Sequence, residues 1–364
     1  MSTNKLIVYG ASVSYYTGKL ETYLRYQGMA YERRSPYPDA KRILAAAGII
    51  QHPMVELSDG RFMTDSTPML LHWEADDAPR SILPGEAATE FIAHLIEDYA
   101  DEWLWRPAMH YRWSYDHDRA LLSRILTDEL ASHVRAPRSL KIRRIQKRQK
   151  GGFVDRDGVT ASTWDHVEQG YRRALSAMTE LLANHPYLLG PAPTIADFGL
   201  MGPMLRHFGQ DPTPAEIMRT EAPAVYEWVA RMWHAQPAAS DASTIQTLPE
   251  AITPLLQECC ETHLVQLDAN ARAFSEGAKR FGMSVQGTTY AQLPISRYRV
   301  WCLEQLRARF AALDEGAKAA VRELLVWPEA GILWDEREDQ PSRYDVEGLA
   351  PFNKAINVYN GGVP

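Results

Sequence analysis

Two short segments place hydroxyl groups where the sequence predicts that a helix begins. Ser14-Tyr15-Tyr16-Thr17 follows the apolar run of residues 5–9, and Ser66-Thr67 follows a second extended run. Hydroxyl and N–H groups at a helix start can hold an anion, and the positive end of the helix dipole stabilises it. The alternative is simple N-capping, for which serine and threonine are common. Both uses are compatible with one another.

The composition is typical of a soluble protein of two or three domains. Of the 364 residues, 45 % are apolar and 23 % charged, which excludes general disorder. A net charge of −7 argues against nucleic-acid binding, and no apolar run is long enough to span a membrane. The first residues lack the pattern of a signal peptide. We therefore expect a cytoplasmic protein with no nucleic-acid or membrane partner.

The three cysteines, Cys259, Cys260 and Cys302, fit neither a disulfide framework nor a structural zinc site in their number and spacing. No metal is expected, and the compartment is predicted to be reducing.

The first 80 residues alternate between extended and helical patterns. The predicted elements are a strand over 5–9, a helix from Thr17 to Gly28, an extended run over 31–37, a helix over 40–47, a hairpin of 54–57 and 61–64, and a helix over 66–75. This order of strand, helix, strand, helix, strand, strand and helix is that of a thioredoxin-like α/β domain.

The rest of the chain is predicted to be almost wholly helical. A Pro- and Gly-rich linker at 78–85 precedes apolar stripes at helical spacing. Thr194 and Asp197 form a capping-box variant before a buried helix, Phe198–His207. The predicted domains are 1–80, an all-helical domain over 87–238, and a helical C-terminal extension over 239–364.

A dense basic segment, Arg135–Gly152, separates two of the predicted helices. A cluster of this kind can hold an anionic ligand or partner, but charge runs more often mark a solvated helix end and loop, and we favour that interpretation.

Four features, in order and at matching distances, resemble the Ser/Cys-type cytosolic glutathione transferases. The first is the segment from Ser14 to Leu20, which resembles the family's Ser-x-x-Ser-x-Lys-Val motif. The others are His52-Pro53 before a strand, the Asp65-Ser66 pair, and the capping box that begins at Thr194. Residues 16–19, 97–103 and 197–200 further resemble bacterial glutathione-transferase-like proteins with a long C-terminal extension. The resemblance covers roughly residues 5–235 and implies the glutathione transferase fold.

The resemblance implies a transferase in which the glutathione thiolate attacks a small apolar or aromatic electrophile. A free thiol has a pKa of about 8.5, so it needs a hydrogen-bond donor to ionise at neutral pH. Ser14 is the first candidate, and Tyr16 or Thr17 are alternatives; Ser12, Tyr15 and Tyr9 are also near, and an absence of any activating hydroxyl stays open.

The same resemblance assigns the remaining site residues. A cis peptide before Pro53 would aim the Met54 backbone at the cysteinyl part of glutathione. Asp65 would meet the α-ammonium and Ser66 a carboxylate. The electrophile would contact an aromatic helix, and its expected site residues are Trp103, Met109, Tyr111 and Trp113. Aromatic residues at helical spacing are more often core than pocket, and that alternative applies to all four.

Two functions remain open at this level. One is catalysis with glutathione as co-substrate, in a homodimer as the resemblance implies. The other is a glutathione-transferase fold kept for binding or scaffolding, which the extension of about 125 residues favours. A membrane or nucleic-acid binder is a third class, supported by the basic segment alone and opposed by the net charge.

Overall fold

A computed structural model describes residues 5–76, 78–236 and 242–358. Its N-terminal part has the predicted order of elements. They are β1 (Leu6–Tyr9), α1 (Tyr15–Tyr26), β2 (Tyr31–Arg34), α2 (Ala40–Ala47), β3 (Met54–Glu56), β4 (Phe62–Thr64) and α3 (Ser66–Ala75). The sheet order is β2-β1-β3-β4, with β1 parallel to β2 and the other neighbours antiparallel. The thioredoxin-like prediction is confirmed.

Glycines end the first two helices as the sequence indicates. Gly28, after α1, has φ +69°, and Gly48, after α2, has φ +86°. A side chain at such positive φ is strained, whereas glycine adopts it readily. The chain can therefore turn sharply into β2 and towards β3.

The second part is helical, as predicted. Its helices are α4 (Ala87–Glu102), α5 (Trp105–Ser114), α6 (Asp116–Leu130), α7 (Arg138–Gln149), α8 (Trp164–Leu182), α9 (Ile195–Pro203), α10 (Pro212–Glu221) and α11 (Pro223–Trp233). The capping box forms at the start of α9: Asp197 accepts the Thr194 N–H at 2.9 Å, and the reciprocal bond is also present. The predicted buried helix is thus α9, continued by a π-helical turn over Met204–Phe208.

The C-terminal extension is mainly helical, again as predicted. It contains α12 (Thr253–Glu258), a π-helical turn (Cys259–Leu264), α13 (Val265–Ser275), α14 (Arg297–Ala312), α15 (Glu315–Leu324) and a 3₁₀ segment (Pro328–Trp334). One core cluster includes side chains of the N-terminal domain, the helical domain and this extension. The predicted boundary at 238–239 lies outside the described residues.

The extension, predicted to be helical, also contains a hairpin, formed by β5 (Arg280–Val285) and β6 (Thr288–Pro294). Burial alternates along β5, so that Phe281, Met283 and Val285 face inward. Gln286 and Gly287 both have positive φ, the geometry of a two-residue hairpin turn. The alternation of apolar and polar residues is visible in the sequence, but it includes only three apolar positions.

The basic segment folds into α7, none of whose residues is buried. Arg138 pairs with Asp128 at 2.7 Å, and Lys141 donates to the backbone oxygen of Ala131 at 2.9 Å. The segment is therefore a solvated helix more than a loop. Within the described ranges, no helix combines the length and the apolar composition needed to cross a membrane.

A buried lysine joins the two domains. Lys19 of α1 is fully buried, and its Nζ donates to Asp101 of α4 at 2.6 Å, to Glu97, and to the Thr67 hydroxyl of α3 at 2.8 Å. Burial lowers the pKa of Lys19, but Asp101 and Glu97 outweigh this and leave it raised, so the amine stays charged. One cation thus connects α1 and the first turn of α3 to α4.

Replacing Lys19 by methionine is expected to lower the free energy of unfolding by about 3–5 kcal/mol, because it leaves two buried carboxylates unpaired. Chemical denaturation measures this. The triple variant Lys19→Met, Glu97→Gln, Asp101→Asn is expected to recover much of the loss, since no buried charge then remains at this position. Arg219→Met, which breaks an exposed pair with Glu216, serves as the control. A Lys19 variant no less stable than this control would contradict the assignment.

Candidate functional site

The residues expected to contact glutathione lie at one end of the N-terminal sheet. The register pairs Tyr9 with Met54, and Met54 with Thr64. The segment after β1, the segment before β3 and the segment after β4 therefore leave the sheet side by side. These three segments contain Ser14, Pro53 and Asp65-Ser66, and the N-termini of α1 and α3 begin there. The structure thus brings together residues that are about 50 positions apart in sequence.

Ser14 is the N-cap of α1 and is half-buried. Its carbonyl oxygen accepts the Gly18 N–H at 3.0 Å, but its hydroxyl makes no capping bond and contacts no partner among the described residues. The Ser14 hydroxyl therefore does not cap α1. The Ser14 hydroxyl is free to donate to a ligand at the helix N-terminus.

The two alternatives to Ser14 are differently placed. The Tyr16 hydroxyl donates to the backbone oxygen of Asp101 at 2.9 Å, which directs it towards the helical domain. Thr17 is fully buried, and its hydroxyl faces Gly10, where a β-carbon would lie 2.4 Å from Thr17 Oγ1. Thr17 would reach a ligand only if this turn moved. The geometry thus favours Ser14 over both.

Ser12 and Tyr9 are engaged elsewhere. A carboxylate oxygen of Glu129 in α6 accepts the Ser12 N–H at 2.7 Å, and the other accepts the Ser12 hydroxyl. The Tyr9 hydroxyl donates to Glu56 at 2.7 Å and accepts from Arg42 at 2.8 Å. Neither hydroxyl is free in the way that Ser14 is.

The loop that carries Ser14 is fixed from the helical domain. Buried Arg112 of α5 donates to the Val13 carbonyl oxygen at 2.6 Å and forms two bonds with Asp211, at 2.7 and 2.9 Å. Burial raises the pKa of Asp211 to about 6, although Arg112 opposes the shift. The paired, planar geometry holds the guanidinium in one orientation. Ser14 is therefore presented by a loop with little freedom.

The His52–Pro53 peptide is cis, as the resemblance implies. Met54, by contrast, is fully buried and pairs with β1 on one side and β4 on the other, so its backbone groups face neighbouring strands. An added ligand strand would meet the residues before Met54 and not Met54 itself. The expected Met54 contact is corrected accordingly. Burial, with a smaller effect of Arg148, lowers the pKa of His52 to about 4, so this histidine is neutral.

Asp65 already has two partners from the far end of the chain. The Tyr298 hydroxyl donates to one carboxylate oxygen and the Tyr344 hydroxyl to the other, each at 3.1 Å. Burial raises the pKa of Asp65 to about 6, although Lys19 and the two tyrosines oppose the shift. Asp65 has φ 71° as the N-cap of α3, and Ser66 is 4 % exposed. No local sequence signal could have identified the two tyrosines.

A C-terminal strap, residues 351–355, lies against the same domain. The Thr64 N–H donates to the Pro351 oxygen at 2.8 Å, and the Ala355 N–H donates to the Ala47 oxygen at 2.9 Å. The Phe352 ring packs on His72 at 5.0 Å. The strap therefore covers the outer edge of β4 and the end of α2.

The four residues expected to contact the electrophile lie in the core. Trp103, Met109, Tyr111 and Trp113 are at most 3 % exposed. Trp103, for example, packs edge-on against Tyr290 of the β5–β6 hairpin at 6.3 Å. Trp103 follows the end of α4, and the other three lie on α5; all four side chains are covered, which agrees with the alternative that they belong to the core.

Other aromatic side chains near Ser14 are only half-buried. The Tyr16 ring stacks on Trp105 at 5.7 Å, and Trp105 meets Phe153 edge-on at 5.8 Å. Phe153 lies in the π-helical turn Lys150–Asp155 that follows α7. The two glycines before it, Gly151 and Gly152, are typical of a loop, so no local pattern in the sequence indicates a role for Phe153. In the described part of the chain, no group of three potential metal ligands converges.

Comparison with known proteins gives a family match for the second half of the helical domain. Residues 151–236 match the family model "Glutathione S-transferase, C-terminal domain". No curated protein matches the chain.

Among solved structures, the chain is similar to a glutathione-transferase-like protein from Pseudomonas syringae, with 18 % identity over 68 % of this chain and 76 % of that one, at a TM-score of 0.42. It is also similar to a glutathione S-transferase from Rhodospirillum rubrum F11, with 18 % identity over 69 % and 91 %, at 0.41. A third is a glutathione S-transferase from Methylobacterium radiotolerans JCM 2831 in complex with glutathione sulfonate, with 16 % identity over 67 % and 99 %, at 0.37.

The family match and the thioredoxin-like strand order rest on different parts of the chain: this protein contains a region similar to the glutathione S-transferase C-terminal domain, and a thioredoxin-like domain precedes it.

Proposed function

We propose that this protein is a glutathione transferase that directs the glutathione thiolate at a small apolar or aromatic electrophile. The observation that carries the proposal is the register of β1, β3 and β4. It gathers an uncommitted Ser14 hydroxyl, the cis-Pro53 turn and the Asp65-Ser66 pair around two helix N-termini.

Ser14 would stabilise the thiolate. Its hydroxyl would donate to the sulfur, and the N-terminus of α1 would add its positive potential. A hydrogen bond to the charged form lowers the pKa of a thiol. The thiol proton would pass to solvent, and the sulfur lone pair would then form the bond to carbon as the leaving group departs with its electrons.

The second helix N-terminus would hold the γ-glutamyl end of glutathione. Ser66 and the first N–H groups of α3 suit the carboxylate, and Asp65 suits the α-ammonium. At neutral pH most Asp65 is ionised, since its pKa is about 6. The electrophile would lie beside Ser14 against Tyr16, Trp105 and Phe153, whose half-buried rings offer a flat apolar surface.

The alternative is a non-catalytic binding or scaffold protein. The contacts of Asp65 favour it, because Tyr298 and Tyr344 of the extension already occupy one lone pair on each carboxylate oxygen. Glutathione binding separates the two functions. The homodimer and the cytoplasmic location expected from the sequence stay predictions.

Wild-type protein is expected to bind glutathione saturably in titration calorimetry, and the double variant Asp65→Ala, Ser66→Ala is expected to lose most of this binding. The reason is that both groups facing the γ-glutamyl end are removed. The matched control is Ser58→Ala, Asp59→Ala in the β3–β4 turn, where Asp59 is exposed. An absence of wild-type binding at millimolar glutathione would exclude the transferase and leave the scaffold.

Ser14→Ala is expected to raise the pKa of the thiol of bound glutathione by about 1–2 units, because one hydrogen-bond donor to the thiolate is lost. Ultraviolet absorbance of the thiolate as a function of pH measures it. The rate with an aryl halide at neutral pH should fall with the thiolate fraction, by up to about 10–100-fold.

Tyr16→Phe is the comparison variant for this measurement, since its hydroxyl donates to the Asp101 carbonyl oxygen. If Tyr16→Phe shifts the thiol pKa and Ser14→Ala does not, Tyr16 is the activating residue and the assignment of Ser14 is wrong.

A further inference from the structure

Two tyrosines of the C-terminal extension converge on the one carboxylate of the candidate cofactor site. Tyr298, in α14, and Tyr344, beyond the 3₁₀ segment, each donate a hydroxyl hydrogen to a different oxygen of Asp65 at 3.1 Å. They lie 233 and 279 residues away in sequence. A carboxylate that accepts a hydrogen bond at each oxygen is held in one orientation.

The tyrosines are themselves rigidly placed. Their rings pack edge-on with centroids 5.0 Å apart, and Trp301 lies 5.0 Å from the Tyr344 ring. The chain before Tyr344 is tied to α14, because Glu304 accepts both the Ser342 N–H and the Ser342 hydroxyl at 2.6 Å. The two donors are thus preorganised, and bonds to Asp65 require little additional ordering.

Asp65 still has capacity for a ligand. It is half-buried, and each carboxylate oxygen has a second lone pair when one is used by a tyrosine. A cavity of about 500 Å³ between α3, α4 and α14 is lined in part by Thr67 and Pro68, which follow Asp65 in sequence, and by Tyr298, which donates to Asp65. An ammonium group needs one ionised carboxylate in a fixed orientation, and the second lone pairs of Asp65 are its acceptors.

Several other groups act on the charge of Asp65. Lys19 of α1 favours the ionised form, whereas Glu97 of α4 opposes it. Glu102 of α4 and Cys302 of α14 also lie within electrostatic range of Asp65. The two tyrosine hydroxyls both favour the ionised form of Asp65 and fix the orientation of its carboxylate.

We propose that Tyr298 and Tyr344 are positioning residues for glutathione, which hold the Asp65 carboxylate ionised and oriented for the α-ammonium group of the γ-glutamyl moiety. This inference rests on the proposed function. The extension would then be a working part of the cofactor site and not a separate module.

The proposal fixes the pH dependence of binding. The pKa of Asp65 is about 6, so affinity for the ammonium is lost as the pH falls through this value. Removing a hydroxyl that donates to the charged form raises the pKa of Asp65 further. The loss of binding therefore moves to higher pH in a Tyr→Phe variant.

The test is titration calorimetry with S-methylglutathione, whose blocked sulfur does not titrate, on wild type, Tyr298→Phe and Tyr344→Phe. For a rise of one unit in the pKa of Asp65, each variant is expected to bind about twofold more weakly near neutral pH and about tenfold more weakly well below pH 6, because the ionised carboxylate holds the ammonium. The deficit should shrink as the pH rises and Asp65 ionises. The control, Tyr290→Phe, removes an extension hydroxyl that contacts His166 instead. An analogue of the ligand without its α-amino group should bind all variants alike.

If wild type binds the ligand and both tyrosine variants bind it equally well or more tightly, this proposal is overturned but the glutathione site stands. Tighter binding by the variants would show that the tyrosines compete with the ligand for Asp65. No wild-type binding at millimolar ligand would overturn the proposed function together with this inference. Should the tyrosine variants unfold, the wild-type pH profile still decides: affinity that is constant within two units on either side of about 6 contradicts it.

Discussion

The buried charge of Lys19 is the constraint on which the candidate site depends. An ammonium group with no access to solvent is stable only when acceptors surround it, and here they come from α3 and α4. Lys19 lies one turn beyond Ser14, so fixing its Nζ fixes the direction of the α1 N-terminus. Thr67 lies one residue beyond Ser66 and accepts from the same amine. A single desolvated cation therefore sets the relative position of both helix ends that would hold glutathione.

The helical parts of the chain complete the N-terminal domain in two places. Arg112 of α5 holds the carbonyl oxygen of Val13, next to Ser14. The extension supplies the two tyrosine hydroxyls to Asp65. In both cases a group distant in sequence satisfies a polar atom at the edge of the sheet. The thioredoxin-like domain provides the backbone of the site, and its side-chain orientations are set from outside.

Local patterns predicted what local forces determine. The bounds of α2 and α3 match the predicted 40–47 and 66–75, because a glycine stop and an N-terminal hydroxyl mark them. The hairpin β5–β6 was missed because a short period-2 run lies among helical stripes. The aromatic residues of α5 could not be divided into wall and core from spacing alone, since that division depends on which elements cover the helix. The partners of Asp65 are purely tertiary contacts.

The strap covers part of the β4 edge of the sheet. β4 lies at the end of the order β2-β1-β3-β4, so its outer N–H and C=O groups face away from the sheet. Unsatisfied groups in such a row act as a template on which another polypeptide can add a strand. Pro351 fills one of these positions by accepting the Thr64 N–H, and as a proline it presents no N–H of its own for the next chain to bind. The same few residues thus block part of the edge at which two sheets could otherwise pair.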